Sequence, residues 1–227
     1  MTEGTAAVRR RMQARLAYWL LACLLALPVL AHAQPAPAAA PAQSGDRTVL
    51  VMGDSLSAGY GMSAAEGWVA LLQQRLQREA PGWRVVNASI SGETTAGGAS
   101  RIVDAVVRER PAVVIIALGA NDGLRGLPLA DARRNLARMI GASQHVGAKV
   151  LLVGMRMPPN LGADYTAGFE ANYALLADTF DTALLPFLLE PIASDRANFQ
   201  DDNLHPTAEA QAQILDHVWP ALQPLLD

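Results

Sequence analysis

Cysteine is almost missing from these 227 residues: Cys23 is the only one. It lies inside an N-terminal segment that reads as a discarded leader, so the remaining chain has no disulfide and no thiolate chemistry. No HExxH, CxxC or glycine-rich phosphate loop occurs, and histidine is confined to four positions. Basic charge is also scarce. Residues 1–33 hold four arginines and one glutamate, so their loss would leave 14 basic and 20 acidic residues from the original 18 and 21, a net charge of −6. That excess of acid argues against nucleic acid or an anionic lipid surface as a partner. Long apolar runs are absent as well, apart from Leu16 to Leu30, which is short for a membrane span and is broken by Pro28. No stable membrane anchor is expected.

That run has the makings of a secretory signal. Arg9, Arg10, Arg11 and Arg15 supply the positive region, and Ala31-His32-Ala33 supplies a small-x-small cleavage site with Gln34 as the new N-terminus. The expected compartment is periplasmic or secreted. A lipid-modified Cys23 is the rival reading. Residues 34–45 (QPAPAAAPAQSG) form a Pro/Ala-rich tether with nothing to bury. Residues 46–227 then suffice for one domain with a sizeable core.

Within that domain, apolar runs alternate with helix-period segments. Thr48–Met52, Arg84–Asn87, Val113–Leu118 and Val150–Met155 are short and rich in Val, Ile and Leu, with Thr182–Leu185 as a fifth candidate. Continuous runs of this kind suit strands buried on both faces. Between them, one helical stripe carries Trp68, Leu71, Leu72 and Leu76. A second carries Ile102, Val103, Val106 and Val107, and a third Ala132, Leu136, Met139 and Ile140. Ala212, Leu215, Trp219 and Leu222 mark the last helix. The alternation predicts an α/β fold with a parallel sheet, helices on both faces and a site beyond the carboxyl ends of the strands.

Three chemical groups fall where that site should be. Ser55, in Gly53-Asp54-Ser55-Leu56, directly follows the first strand. A serine hydroxyl becomes a nucleophile when a histidine takes its proton and a carboxylate orients that histidine. His205 has Asp202 three residues before it and Pro206 after it, where a proline can open a helix. Asp201 is the rival acid. Position 57 is serine, so the motif is not a G-x-S-x-G elbow. Asp54 reads as a brace for the loop, with its side chain turned away. Ser55 could instead merely cap a helix. His145 and His217 read as surface residues on helices. Gly92 follows the second strand and could offer a backbone N–H. Asn121 follows the third and could offer its amide. With the Ser55 N–H, these are candidates for holding an oxyanion. Taken singly, Gly92 could be an ordinary loop glycine and Asn121 an Asx turn.

Together the blocks resemble the GDSL-type, or SGNH, hydrolase family, whose four namesake residues correspond to Ser55, Gly92, Asn121 and His205. GDSLSAGYGM, VVNASISGET, LGANDGLRG, LLPF and QDDNLHP are similar to its bacterial periplasmic group of acyl-CoA thioesterase I, lysophospholipase and arylesterase enzymes. The resemblance implies a flavodoxin-like, three-layer αβα fold with a five-stranded parallel sheet. It implies a serine ester hydrolase that needs no cofactor or metal and cleaves esters and thioesters of fatty acyl chains. Small-molecule acyl esters or thioesters are then the partners, and the chain is expected to act as a monomer. Leu124, Met157 and Pro158, with Leu127 and Leu161, would flank the substrate. Met157 departs from the family's usual aliphatic residue, which puts chain-length preference in question. A carbohydrate O-acetylesterase on the same fold is the alternative, and a non-catalytic binding module the more distant one.

Overall fold

The computed structural model describes residues 47–227. The expected signal, its cleavage point, Cys23 and the tether over 34–45 lie outside the described residues. The described chain runs β1 (Arg47–Gly53), α1 (Ser55–Ala58), α2 (Trp68–Glu79), β2 (Trp83–Asn87), α3 (Thr95–Glu109), β3 (Val113–Ala117) and α4 (Ala120–Leu124). It continues through α5 (Leu129–His145), β4 (Lys149–Val153), α6 (Ala163–Phe180), β5 (Ala183–Leu185) and α7 (Gln211–Leu222).

All five strands are parallel, in the order β2-β1-β3-β4-β5. This is the flavodoxin-like order. The central strands β1, β3 and β4 are apolar through most of their length because both faces of the sheet are covered there, whereas the edge strand β2 carries Arg84 and Asn87 and is only partly buried. Successive residues of β1 point to opposite faces. Val49 and Val51 pack with Trp68 and Leu72 of α2 and with Ile214 and Val218 of α7. Leu50 and Met52 pack with Ile102 of α3, Leu136 and Met139 of α5 and Tyr173 of α6. All four β1 residues are fully buried. The three layers are therefore written into one strand's alternation. The N-termini of α2 and α7 are also joined, through a hydrogen bond from the Trp68 N–H to the buried Gln211 side chain at 3.0 Å.

Two helical stripes differ from the sequence expectation by one row. In α3 the buried residues are Thr95, Gly98, Ala99, Ile102, Ala105 and Val106, while Val103 and Val107 face solvent. Gly98 sits against Leu118 and Met139, and this close approach turns the small-residue row inward. Val103 and Val107, a further 100° round, fall outside. In α7 the buried row is Gln211, Ile214, Leu215, Val218 and Leu222. Ala212 is exposed and Trp219 is half-buried.

Pro206 does not begin a helix. It pairs in an antiparallel bridge with Phe199, and α7 starts five residues later at Gln211. The bridge is closed by the Gln200 N–H donating to the His205 carbonyl at 2.8 Å and the Thr207 N–H donating to the Asn198 carbonyl at 2.8 Å. Proline here rigidifies an extended segment rather than opening a helix.

Ser55, Gly92 and Asn121 follow β1, β2 and β3 in turn. Because β1 lies between β2 and β3, the three loops meet at the point where strand order reverses, the place where open parallel sheets form their clefts.

Candidate active site

Ser55 is the first residue of α1, a helix of four residues that ends at Gly59 with φ of +78°. The cap is Asp54, not Ser55: the Asp54 Oδ1 accepts the Leu56 N–H at 3.1 Å. The serine hydroxyl is thus free of capping duty. The turn also requires Gly53. A Cβ there would fall 2.7 Å from the Ser57 side chain and 2.9 Å from the Ser89 hydroxyl.

His205 reaches Ser55 from the loop before α7. Its Nε2 lies 2.9 Å from the Ser55 Oγ, and its Nδ1 lies 2.6 Å from the Asp202 Oδ2. The i−3 spacing has a structural cause. Asp202 closes a turn on itself, its Oδ1 accepting the N–H groups of Leu204 at 2.9 Å and His205 at 3.0 Å. Asn203 takes the left-handed conformation this needs, with φ of +58°, which asparagine tolerates. The His205 backbone N–H, then the His205 ring N–H and the Leu204 N–H, hold the Asp202 carboxyl down at about 2. An ionised Asp202 fixes the proton on Nδ1 and leaves Nε2 as an acceptor for the serine hydroxyl. Asp201 is exposed and makes no hydrogen bond to His205. Tyr60 covers the imidazole, with ring centroids 4.4 Å apart. The other two described histidines are remote from this group. His145 is exposed on α5. His217 is half-buried rather than on the surface, its Nε2 3.0 Å from the Phe187 carbonyl, a tie between α7 and the loop after β5.

Gly92 and Asn121 face the same opening. Gly92 has φ of +80°, and its carbonyl accepts from the Arg125 guanidinium at 3.1 Å. No protein atom crowds it, so glycine is required there by conformation rather than by space. Among the described residues, neither the Ser55 nor the Gly92 backbone N–H has a protein acceptor. Both residues line the cleft, where an N–H group without a protein acceptor is free to serve an anionic oxygen. The Asn121 amide donates to the Glu93 carbonyl at 3.1 Å and lies 3.5 Å from the Asp54 Oδ2. Asp54 braces its loop as expected but also faces Asn121 and lines the cleft. Burial, with 1% of the residue exposed, drives its carboxyl from 3.8 up to about 6.

Asp122, which sequence reasoning passed over, anchors this loop. Its carboxylate accepts the Thr95 N–H at 2.8 Å and the Thr95 hydroxyl at 2.6 Å, and Asn135 donates to the same hydroxyl at 3.1 Å. Two adjacent residues of one motif thus have separate duties, Asn121 toward the cleft and Asp122 toward the start of α3.

The cleft is a cavity of about 370 Å³, within the range of small-molecule sites. Leu124, Met157 and Pro158 line it. Leu127 and Leu161 do not. Tyr60, Met155, Phe187, Leu189, Phe199 and Leu204 add to the lining. Tyr60, Phe187 and Leu204 sit inside the GDSLSAGYGM, LLPF and QDDNLHP segments and could have been flagged there. Phe199 carried no signal, because only its bridge to Pro206 brings it in. Arg156 is the one lining cation, and Glu190 at 2.7 Å and Glu170 at 3.5 Å already pair it. Among the described residues, no group of three or more His, Cys, Asp or Glu could hold a metal, and no helix is long and apolar enough to cross a membrane.

A three-layer flavodoxin-like sheet bearing this hydroxyl, imidazole and carboxylate in series defines an ester hydrolase. The chain matches the GDSL-like lipase/acylhydrolase family over residues 51–213, and it belongs to that family. It is 48% identical over 184 residues to esterase TesA of Pseudomonas aeruginosa, which covers 81% of this chain and 92% of that protein. It is 41% identical over 180 residues to the thioesterase 1/protease 1/lysophospholipase L1 of Escherichia coli, covering 79% of this chain and 85% of that one. A crystal structure of TesA superposes with a TM-score of 0.77 at 48% identity, covering 79% of this chain and 99% of the other.

Proposed function

We propose that this protein is an exported serine hydrolase that cleaves esters and thioesters of fatty acyl chains through an acyl-enzyme on Ser55. The observation that carries the reading is the unbroken series Ser55 Oγ, His205, Asp202, at 2.9 and 2.6 Å, opening onto an apolar cavity. His205 takes the hydroxyl proton as Ser55 attacks the acyl carbon, and the Asp202 carboxylate stabilises the imidazolium. The carbonyl oxygen becomes an anion held by the N–H groups of Ser55 and Gly92 and by the Asn121 amide. His205 then protonates the leaving alcohol or thiol. Water, activated by the same imidazole, releases the acid.

The lining favours an acyl chain over a sugar. Its side chains are mostly hydrocarbon and aromatic, and its single cation is neutralised by two glutamates. The names of its relatives, esterase, thioesterase and lysophospholipase, support it. A panel of nitrophenyl esters from acetyl to palmitoyl, beside palmitoyl-CoA and lysophosphatidylcholine, tests the reading. Activity is expected to rise from acetyl to longer acyl groups and to extend to thioesters. Turnover restricted to acetylated sugars would contradict it.

A further inference from the structure

Asp54 has no part in the chemistry above, yet it is a carboxylate with 1% of its surface exposed on the floor of the cleft. Burying a carboxylate without a cation is costly. No arginine or lysine offsets this one: its contacts are the Leu56 N–H at 3.1 Å and the Asn121 amide at 3.5 Å. Capping alone does not call for such a residue, because serine or asparagine caps a helix equally well without a buried charge. What a shorter side chain lacks is reach to a second partner. Oδ1 is on the turn that carries Ser55, and Oδ2 is on the amide of Asn121, which the Glu93 carbonyl restrains through a 3.1 Å hydrogen bond.

We propose that Asp54 is a positioning residue that ties the Asn121 donor to the Ser55 turn, so that one carboxylate sets nucleophile and oxyanion donor in register. The 3.5 Å contact is long for a hydrogen bond. One amide N–H is held by the Glu93 carbonyl, and the other, held only loosely by Oδ2, is shared between Oδ2 and the substrate oxygen as negative charge develops there. The inference rests on the oxyanion reading of Asn121.

A double-mutant cycle tests it on a nitrophenyl ester. Asp54→Ser keeps the cap and loses the second contact. It should lower kcat about tenfold, near the lower end for a hydrogen bond to a charged group, as a 3.5 Å contact warrants, with KM little changed. In an Asn121→Ala background the same change should cost less than about twofold, because its target is gone. Asp54→Asn, of equal volume, carries the same cycle if Asp54→Ser fails to fold. It should also lower kcat without lowering the melting temperature, a pairing that a merely structural role would not produce. Equal losses with and without Asn121, or a rise in KM that accounts for the whole effect, would overturn the proposal. Labelling of the wild type by a fluorophosphonate separates the two levels. A labelled wild type with an additive cycle removes this inference alone. An unlabelled wild type removes the underlying reading as well.

Discussion

Two carboxylates of this site are pushed in opposite directions, and each has a consequence. Asp54 titrates near 6 in the folded chain against 3.8 for an ordinary aspartate. The folded state therefore holds the proton more tightly than the unfolded one. The stability this confers is complete below about pH 4 and is lost as pH rises through 6. Asp54→Asn, neutral at every pH, should be more stable than the wild type at pH 8 by up to about 3 kcal/mol, the size of the interval between 3.8 and 6. The gain should vanish near pH 4. Urea unfolding at the two pH values measures both. Asp202 is the reverse case. Its carboxyl is held near 2 by N–H donors from His205 and Leu204 and stays ionised through the whole working range. Asp202→Asn should be severely impaired in kcat/KM because the imidazole loses its orienting anion. Asp201→Asn, which removes no hydrogen bond to His205, should retain near-normal kcat/KM.

At the scale of elements, the loops after the strands depend on anchors set deep in the fold. Asp122, in α4, grips the first N–H of α3 and the Thr95 hydroxyl. Asp122→Ala would leave both donors buried and unpaired. It should destabilise the domain by about 2–3 kcal/mol, read as a lower urea midpoint. Much of this level was legible in the sequence. The Val, Ile and Leu runs located every strand to within two residues, because the central strands are covered on both faces and can tolerate little else. The helical stripes were read less sharply. Which of two adjacent rows faces the sheet depends on close approaches such as Gly98 against Leu118, and no periodicity encodes these. Pro206 was misread because a helix start and a bridged, extended segment impose the same φ. Only the partner strand at Phe199 decides between them.

At the scale of the whole molecule, parallel topology gathers Ser55, Gly92 and Asn121 at one sheet edge, and the Asp202 turn brings His205 to the same edge. Their order along the chain, each after its own strand, was readable in advance. The aromatic wall was readable only in part: Tyr60 and Phe187 sit inside motif segments, whereas Phe199 enters the cleft through its bridge to Pro206. The basic, apolar and small-residue pattern of residues 9–33 predicts that the exported protein begins at or near Gln34 on N-terminal sequencing. A lipid-modified Cys23 as first residue would contradict that. The central claim is that His205 activates Ser55, and intact-mass analysis after incubation with a fluorophosphonate tests it most directly. The account predicts a single adduct, mapped to Ser55 by peptide digestion, that forms rapidly in the wild type, very slowly in His205→Ala and not at all in Ser55→Ala. No adduct on the wild type, an adduct on another residue, or undiminished labelling of His205→Ala would contradict it.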